Sequence, residues 1–349
     1  MPPRRPSPLS PIAFLDDLAA RTERTCAFTA DTAADARAWQ APVRRRLAAC
    51  VGFVDDPPVP LRPTVVQTVD RGDYVRRKVI LHTARRSTMP VYVLTPAGPR
   101  RPRPAVLALH GHGYGVADIV GLWEDGSERY EPDGYHRDFG CALARRGFVV
   151  IAPEISCFGQ RRHDYSDLGP SPVPSTCHHA ATYAMMLGGS MVGLRVRDGM
   201  RALDYALTLK EVDGDRIGAM GISGGGMHTF FSTALDPRIR ACVVSGYFCD
   251  WRHSILAMHH CTCNFVPGLL RLGELSDLAG LIAPRPCLVE AGTHDEIFPV
   301  EPVRRTVRRA RRAWKAFGRP GDLALEVFEG RHRISGAKAY DFLAGALGQ

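Results

Sequence analysis

From residue 105 to the C-terminus, short apolar runs alternate with longer segments whose apolar residues recur at helical spacing. The runs are "AVLALH" (105–110), "GFVVIAPE" (147–154), "RIGAMGI" (216–222), "IRACVVSG" (239–246), "PCLVEAG" (286–292) and "LALEVFEG" (323–330). Between them lie "YHRDFGCALARR", "VGLRVRDGMRALDYALTL", "GGMHTFFSTAL", "VEPVRRTVRRARRAWKAF" and "AKAYDFLAGAL". Runs too short for helices, apolar on both faces and separated by amphipathic helices, predict an α/β fold with a mostly parallel sheet covered on both sides.

Upstream, "TVVQTVD", "YVRRKVILHT" and "MPVYVLTP" read as strands joined by turns, and the Pro/Arg-rich 98–104 reads as a loop. Residues 12–50 read as helical, closed by Pro57, Pro58 and Pro60. This divides the chain into a helical extension, 1–60, and a main domain, 61–349. Two stretches break the alternation, 155–190 and 247–274. Both are longer than ordinary connections, and insertions over the carboxyl edge of a parallel sheet shape a site.

The 45 Lys and Arg exceed the 36 Asp and Glu to give +9, but the excess is scattered. The basic run at 300–317 has the spacing of a solvated helix face. Without a zinc-finger spacing or an RNP-type strand, no nucleic-acid partner is expected. Prolines and Asp16–Asp17 interrupt any apolar N-terminal segment, and no apolar run reaches the roughly 18 residues of a membrane span. The expectation is a cytoplasmic protein without a membrane partner. The ten cysteines sit mostly inside apolar runs and read as buried thiols rather than disulfides.

Chemistry concentrates at "GISGGG" (221–226), which follows one apolar run and opens a helical segment. In that context G-x-S-x-G is a nucleophile turn: Ser223 needs small neighbours, here Gly221 and Gly225, to occupy a sharp strand-to-helix bend. A serine hydroxyl needs a base, and the base needs an orienting carboxylate. Asp295 in "AGTHDEIFP" and His332 in "EGRHR" follow later strands in the order serine, acid, histidine. Asp236 and Asp250 compete for the acid's role, whereas His294 reads as a loop residue. The oxyanion would take the amide of Gly224 and one from "LHGHGYG" (109–115), His112 first and Gly113 next.

These motifs together resemble the α/β-hydrolase superfamily over roughly residues 60–349. Within it, "HGHG", "APEISCFGQRR", "GISGGG", "AGTHDEIFP" and "EGRHR" resemble the dienelactone hydrolase-like and acetyl xylan esterase-like branch. The resemblance implies a serine carboxylesterase that cleaves small carboxylic esters, acetyl or carbohydrate esters among them, through an acyl-enzyme and without a cofactor. Other readings are a prolyl oligopeptidase-like peptidase, a lactone hydrolase of the dienelactone hydrolase type, and a non-catalytic binding protein on the same fold. The stretch before the hydrolase core is too short for a propeller, and three catalytic residues in order disfavour a mere binder.

Tyr114, Arg161, Cys261 and Asn264 are candidate pocket residues. Glu154, Arg161 and Arg162 are expected to form an ion pair that holds the first insertion. "CHH" (177–179) and "HHCTCN" (259–264) carry zinc-ligand residue types, but Cys261-Thr262-Cys263 is shorter than the usual pair, so packing rather than metal binding is expected. Oligomeric state stays open, with 1–60 as the element a homo-oligomer would use.

Overall fold

The structure is a computed structural model and describes residues 9–99, 101–163 and 176–349. The middle of the first insertion therefore lies outside the described residues. All nine segments expected to be extended are strands: β1 (Thr64–Asp70), β2 (Tyr74–Ala84), β3 (Ser87–Pro96), β4 (Arg103–Leu109), β5 (Val149–Pro153), β6 (Val212–Ile222), β7 (Ile239–Ser245), β8 (Cys287–Gly292) and β9 (Leu323–Phe328). They form one sheet in the order β1-β2-β3-β5-β4-β6-β7-β8-β9. The first three strands pair antiparallel, and β3 meets β5 antiparallel. From β5 through β9 every pairing is parallel. The mostly parallel, helix-covered sheet is the α/β-hydrolase architecture.

The described helices are α1 (Pro11–Arg21), α2 (Ala33–Val51), α3 (Phe139–Arg145), α4 (Thr176–Met186), α5 (Met191–Ala206), α6 (Gly224–Leu235), α7 (Leu269–Leu272), α8 (Leu275–Leu278), α9 (Val300–Ala316) and α10 (Ala339–Leu347). They cover both faces of the sheet. One core includes α2, α5, α6 and α9; the other joins Phe139 and Leu143 of α3 to Leu343 and Leu347 of α10. Helix α9 shows why the basic run folds as it does. Val303, Thr306, Val307, Ala310, Ala313 and Trp314 are buried while most of its arginines face solvent, the division expected of a helix lying on a sheet.

The stretch 12–50 is not one continuous helical unit. The chain leaves α1 at Thr22, sends Cys26 and Phe28 into the core, and restarts at Thr32, whose hydroxyl caps α2 by accepting the Asp35 amide at 3.2 Å. Phe28 packs edge-on against Trp39, and its amide donates to Asp277 Oδ1 at 3.1 Å. Gln40 and Arg44 of α2 donate to carbonyls of Gly280, Ala283, Ala234 and Leu281. The extension is thus built into the main core rather than standing apart, although Ile12, Phe14 and Leu15 of α1 stay exposed.

None of the ten cysteines forms a disulfide. Among the described residues, no helix is long and apolar enough to cross a membrane.

Candidate active site

Ser223 sits between the end of β6 and the start of α6 at φ 57°, ψ −121°. This is strained backbone for a residue with a Cβ, and the surroundings enforce it. The Ser223 amide donates to Ser245 O at 3.0 Å, and its carbonyl accepts from Met227 N at 2.8 Å. A Cβ on Gly221 would come within 2.4 Å of Gly225 O, and one on Gly225 within 1.9 Å of Leu109 O. The turn therefore closes only with glycine on both sides.

Asp295 and His332 meet beyond the carboxyl ends of β8 and β9. His332 Nδ1 lies 2.7 Å from Asp295 Oδ2, while Asp295 Oδ1 accepts the amides of Ile297 at 2.9 Å and Phe298 at 3.0 Å. Asp295 is 5% exposed, and these bonds fix its oxygens. His332 Nε2 has no hydrogen-bond partner among the described residues, and His332 lines the cavity shared with Ser223. The competing acids are engaged elsewhere: Asp236 pairs with Arg238, and Asp250 accepts from His253. His294 is exposed and contacts Glu329 at 2.5 Å.

Two other histidines fix the loop after β4. His110 Nε2 accepts the Ile155 amide at 3.0 Å, so its Nδ1 carries the proton and donates to Gly111 O at 2.8 Å. The N–H of a trans peptide points opposite its C=O, so this bond also aims the His112 amide. On the other side of Gly111, its N–H donates to His136 Nε2 at 2.8 Å, and His136 Nδ1 lies 2.8 Å from Asp118 Oδ2. Burial lowers the His136 pKa against the pull of Asp118, which keeps a neutral ring able to accept. The Tyr135 hydroxyl donates to His112 O at 2.5 Å, and burial raises its pKa so that it stays a donor.

Opposite the loop, Gly224 opens α6, where helix amides lack intrahelical acceptors. A Cβ on Gly224 would lie 3.0 Å from His112 Nδ1, so the two segments face each other closely. Gly113 is the less direct donor candidate; its carbonyl accepts from Arg162 at 3.3 Å.

The cavity over Ser223 has a volume of about 290 Å³. His112, Tyr135, Met258, His260, Ile297 and His332 are among its walls. Burial lowers the His260 pKa to about 4, so the ring presents a neutral face.

Of the pocket candidates, Cys261 lines this cavity. Asn264 lies behind it, donating to His260 Nδ1 at 3.0 Å and Cys261 O at 3.2 Å. Tyr114 faces a separate cavity and donates to Leu122 O at 3.2 Å. Arg161 also stands away from Ser223. Its ion-pair partner is Asp198 at 2.6 Å, while it reaches Glu154 only through that residue's carbonyl, at 3.2 Å. The expected Glu154 pair is replaced because the Glu154 carboxylate accepts the Val116 amide at 2.8 Å.

Sequence reasoning missed Tyr135 and His136, because "YHRDFG" carries helical spacing although the helix begins only at Phe139, and it missed Asp118, which stands in no recognisable motif. The short Cys261-Thr262-Cys263 spacing likewise argues against a metal at 177–179 and 259–264. In space Cys177, Cys261 and Cys263 converge on His112, with one ligand atom of each within 4.8 Å of the others. Spacing rules applied to one segment at a time cannot detect a cluster drawn from three.

Residues 9–316 match the Abhydrolase family. The "Putative hydrolase YtaP" of Bacillus subtilis (strain 168) is 30% identical over 272 residues, covering 74% of this chain and 83% of that protein. Among solved structures, a "putative acetyl xylan esterase" from Bacteroides fragilis NCTC 9343 superposes with a TM-score of 0.75 at 19% identity, covering 94% of this chain and 84% of that one. A glucuronoyl esterase from Solibacter usitatus superposes with a TM-score of 0.65 at 17% identity, covering 94% and 98%. The family match spans the extension, the strained Ser223 turn and the Asp295 loop alike, and the chain belongs to the Abhydrolase family of α/β-hydrolases.

Proposed function

We propose that the protein is a serine carboxylesterase acting on small carboxylic esters. The observation that carries this reading is the strained Ser223 turn, set in one small cavity with a histidine whose far nitrogen is held by a buried aspartate. His332 Nε2 takes the Ser223 proton as Oγ attacks the ester carbonyl, and the amides of Gly224 and His112 receive the developing oxyanion. The protonated imidazole then passes its proton to the leaving alcohol. It next deprotonates a water that opens the acyl-enzyme, while Asp295 holds the tautomer throughout.

A cavity of about 290 Å³ with Met258 and Ile297 in its walls suits a short acyl group. The fold neighbours that bear the names acetyl xylan esterase and glucuronoyl esterase favour an ester with a carbohydrate part as the substrate. In Ser223→Ala, kcat on p-nitrophenyl acetate should fall about 10⁴-fold or more with the melting temperature retained, and labelling by a fluorophosphonate should vanish. A variant that keeps near wild-type turnover removes Ser223 from the chemistry.

A further inference from the structure

Four ligand types meet beside the oxyanion loop: the His112 imidazole and the thiols of Cys177, Cys261 and Cys263, with ligand atoms mutually within 4.8 Å. His112 Nε2 and Cys263 Sγ are 3.5 Å apart. A tetrahedral zinc with Zn–S of about 2.3 Å and Zn–N of about 2.0 Å sets its ligand atoms about 3.5–3.8 Å apart. The cluster thus needs little contraction to close around an ion. Cys177 and Cys263 are fully buried, and Cys261 is partly so.

A second observation concerns Arg195. Its side chain is 1% exposed, and among the described residues it forms no salt bridge with a carboxylate. Nη2 donates to Ser156 O at 3.3 Å and reaches Cys177 Sγ at 3.4 Å, while Nε and Nη1 have no hydrogen-bond partner among the described residues. Burying a guanidinium without a counter-charge is costly. Neutral thiols supply none. Three thiolates and one imidazole around a divalent ion carry a net charge of about −1, the value that one guanidinium neutralises. The outer contacts agree: the Asn264 amide donates to Cys263 Sγ at 3.6 Å, as a group supporting a metal thiolate would.

We propose that His112, Cys177, Cys261 and Cys263 form a zinc site that ties both insertions to the oxyanion loop. Four protein ligands leave no open position, so the ion is structural rather than a Lewis acid for the ester. Its ligands come from the loop after β4, the first turn of α4, and the segment between β7 and α7. Binding converts three contacts between separate segments into one cross-link placed directly behind the His112 amide. It involves no electron transfer: each thiol loses a proton to solvent as its sulfur takes a coordination position.

The test uses the full chain purified under reducing conditions without a metal-affinity column. Elemental analysis should find about one zinc per chain. Cobalt exchanged into the site should show sulfur-to-metal charge transfer and the intense visible bands of a tetrahedral ion. Cys261→Ser and Cys263→Ser should each lower zinc retention at least 10-fold, while Cys50→Ser, outside the cluster, should retain it. Ser223→Ala should bind zinc fully, so the metal result stands apart from the esterase reading.

A wild-type chain that takes up neither zinc nor cobalt overturns the proposal, and this readout does not depend on how the variants fold. So does a disulfide among the three cysteines in chain isolated without reductant and refractory to zinc after reduction. A different metal recovered stoichiometrically at the four residues overturns zinc.

Discussion

Ser223, Asp295 and His332 each stand on a turn that follows a parallel strand, whereas His112, Cys177, Cys261 and Cys263 are brought together from one loop and two insertions. Ser223 and His332, with Asp295 behind the imidazole, form the floor of the cavity, and the second group backs its wall. On the floor the sheet does the positioning. β6, β7, β8 and β9 run side by side and parallel, and Ser245 at the end of β7 accepts the Ser223 amide. At the wall no strand is shared, so side-chain contacts must hold the segments together. The lesson is that a site on strand ends inherits its precision from the backbone, while one across insertions must build its own.

The sharpest way to break this contrast is at the floor. Asp295→Asn keeps the shape but offers His332 the wrong hydrogen-bonding partner. It should lower kcat on p-nitrophenyl acetate by about 10⁴-fold with the melting temperature nearly unchanged. A loss below about tenfold would remove Asp295 from the relay. Next comes the loop between floor and wall. His136→Leu deletes the acceptor for the Gly111 amide, and a misplaced oxyanion donor should lower kcat about 10²-fold with little change in KM. An equal rise in KM with kcat intact would make His136 a contributor to binding alone.

A smaller effect is expected from Tyr135→Phe, which removes one hydrogen bond to His112 O and should lower kcat up to about tenfold.

The smallest is a pH effect beneath the floor. Glu290 is 1% exposed, and burial raises its pKa from 4.5 to about 7, against the amide donated by Gly336 at 2.9 Å. The fold favours the protonated acid, so its contribution is present below pH 4.5 and is lost as pH rises through about 7. Glu290→Gln should therefore raise the melting temperature at pH 8 and change it little at pH 4. An equal shift at both pH values would show that the Glu290 charge is not the cause.

Most of the floor was legible in the sequence, because the signals are local. Six apolar runs and three upstream segments became the nine strands, and each candidate catalytic residue follows its strand within a few positions. Helix α9 was equally readable, since its arginines and apolar residues alternate at one period. The remainder depends on contacts between distant residues. His136 gained its role from Asp118 on one side and Gly111 on the other. Arg161 chose Asp198, on α5, over the nearby Glu154 because backbone amides had already engaged that carboxylate. Nothing in a linear spacing encodes such a choice. The break between α1 and α2 was invisible for a similar reason: Phe28 is ordered by Asp277, far along the chain.

Gly246 follows β7 at φ 51°, and a Cβ there would stand 2.8 Å from His332 Cε1 and 3.0 Å from His332 Nδ1. The position carries no chemical group, yet it decides whether the imidazole can lie against the aspartate. Among relatives, a chain that spells serine, aspartate and histidine correctly but bears a side chain at this position would be an enzyme in lettering only. Sorting a lineage into working and silent copies could therefore begin with the smallest residue in the site.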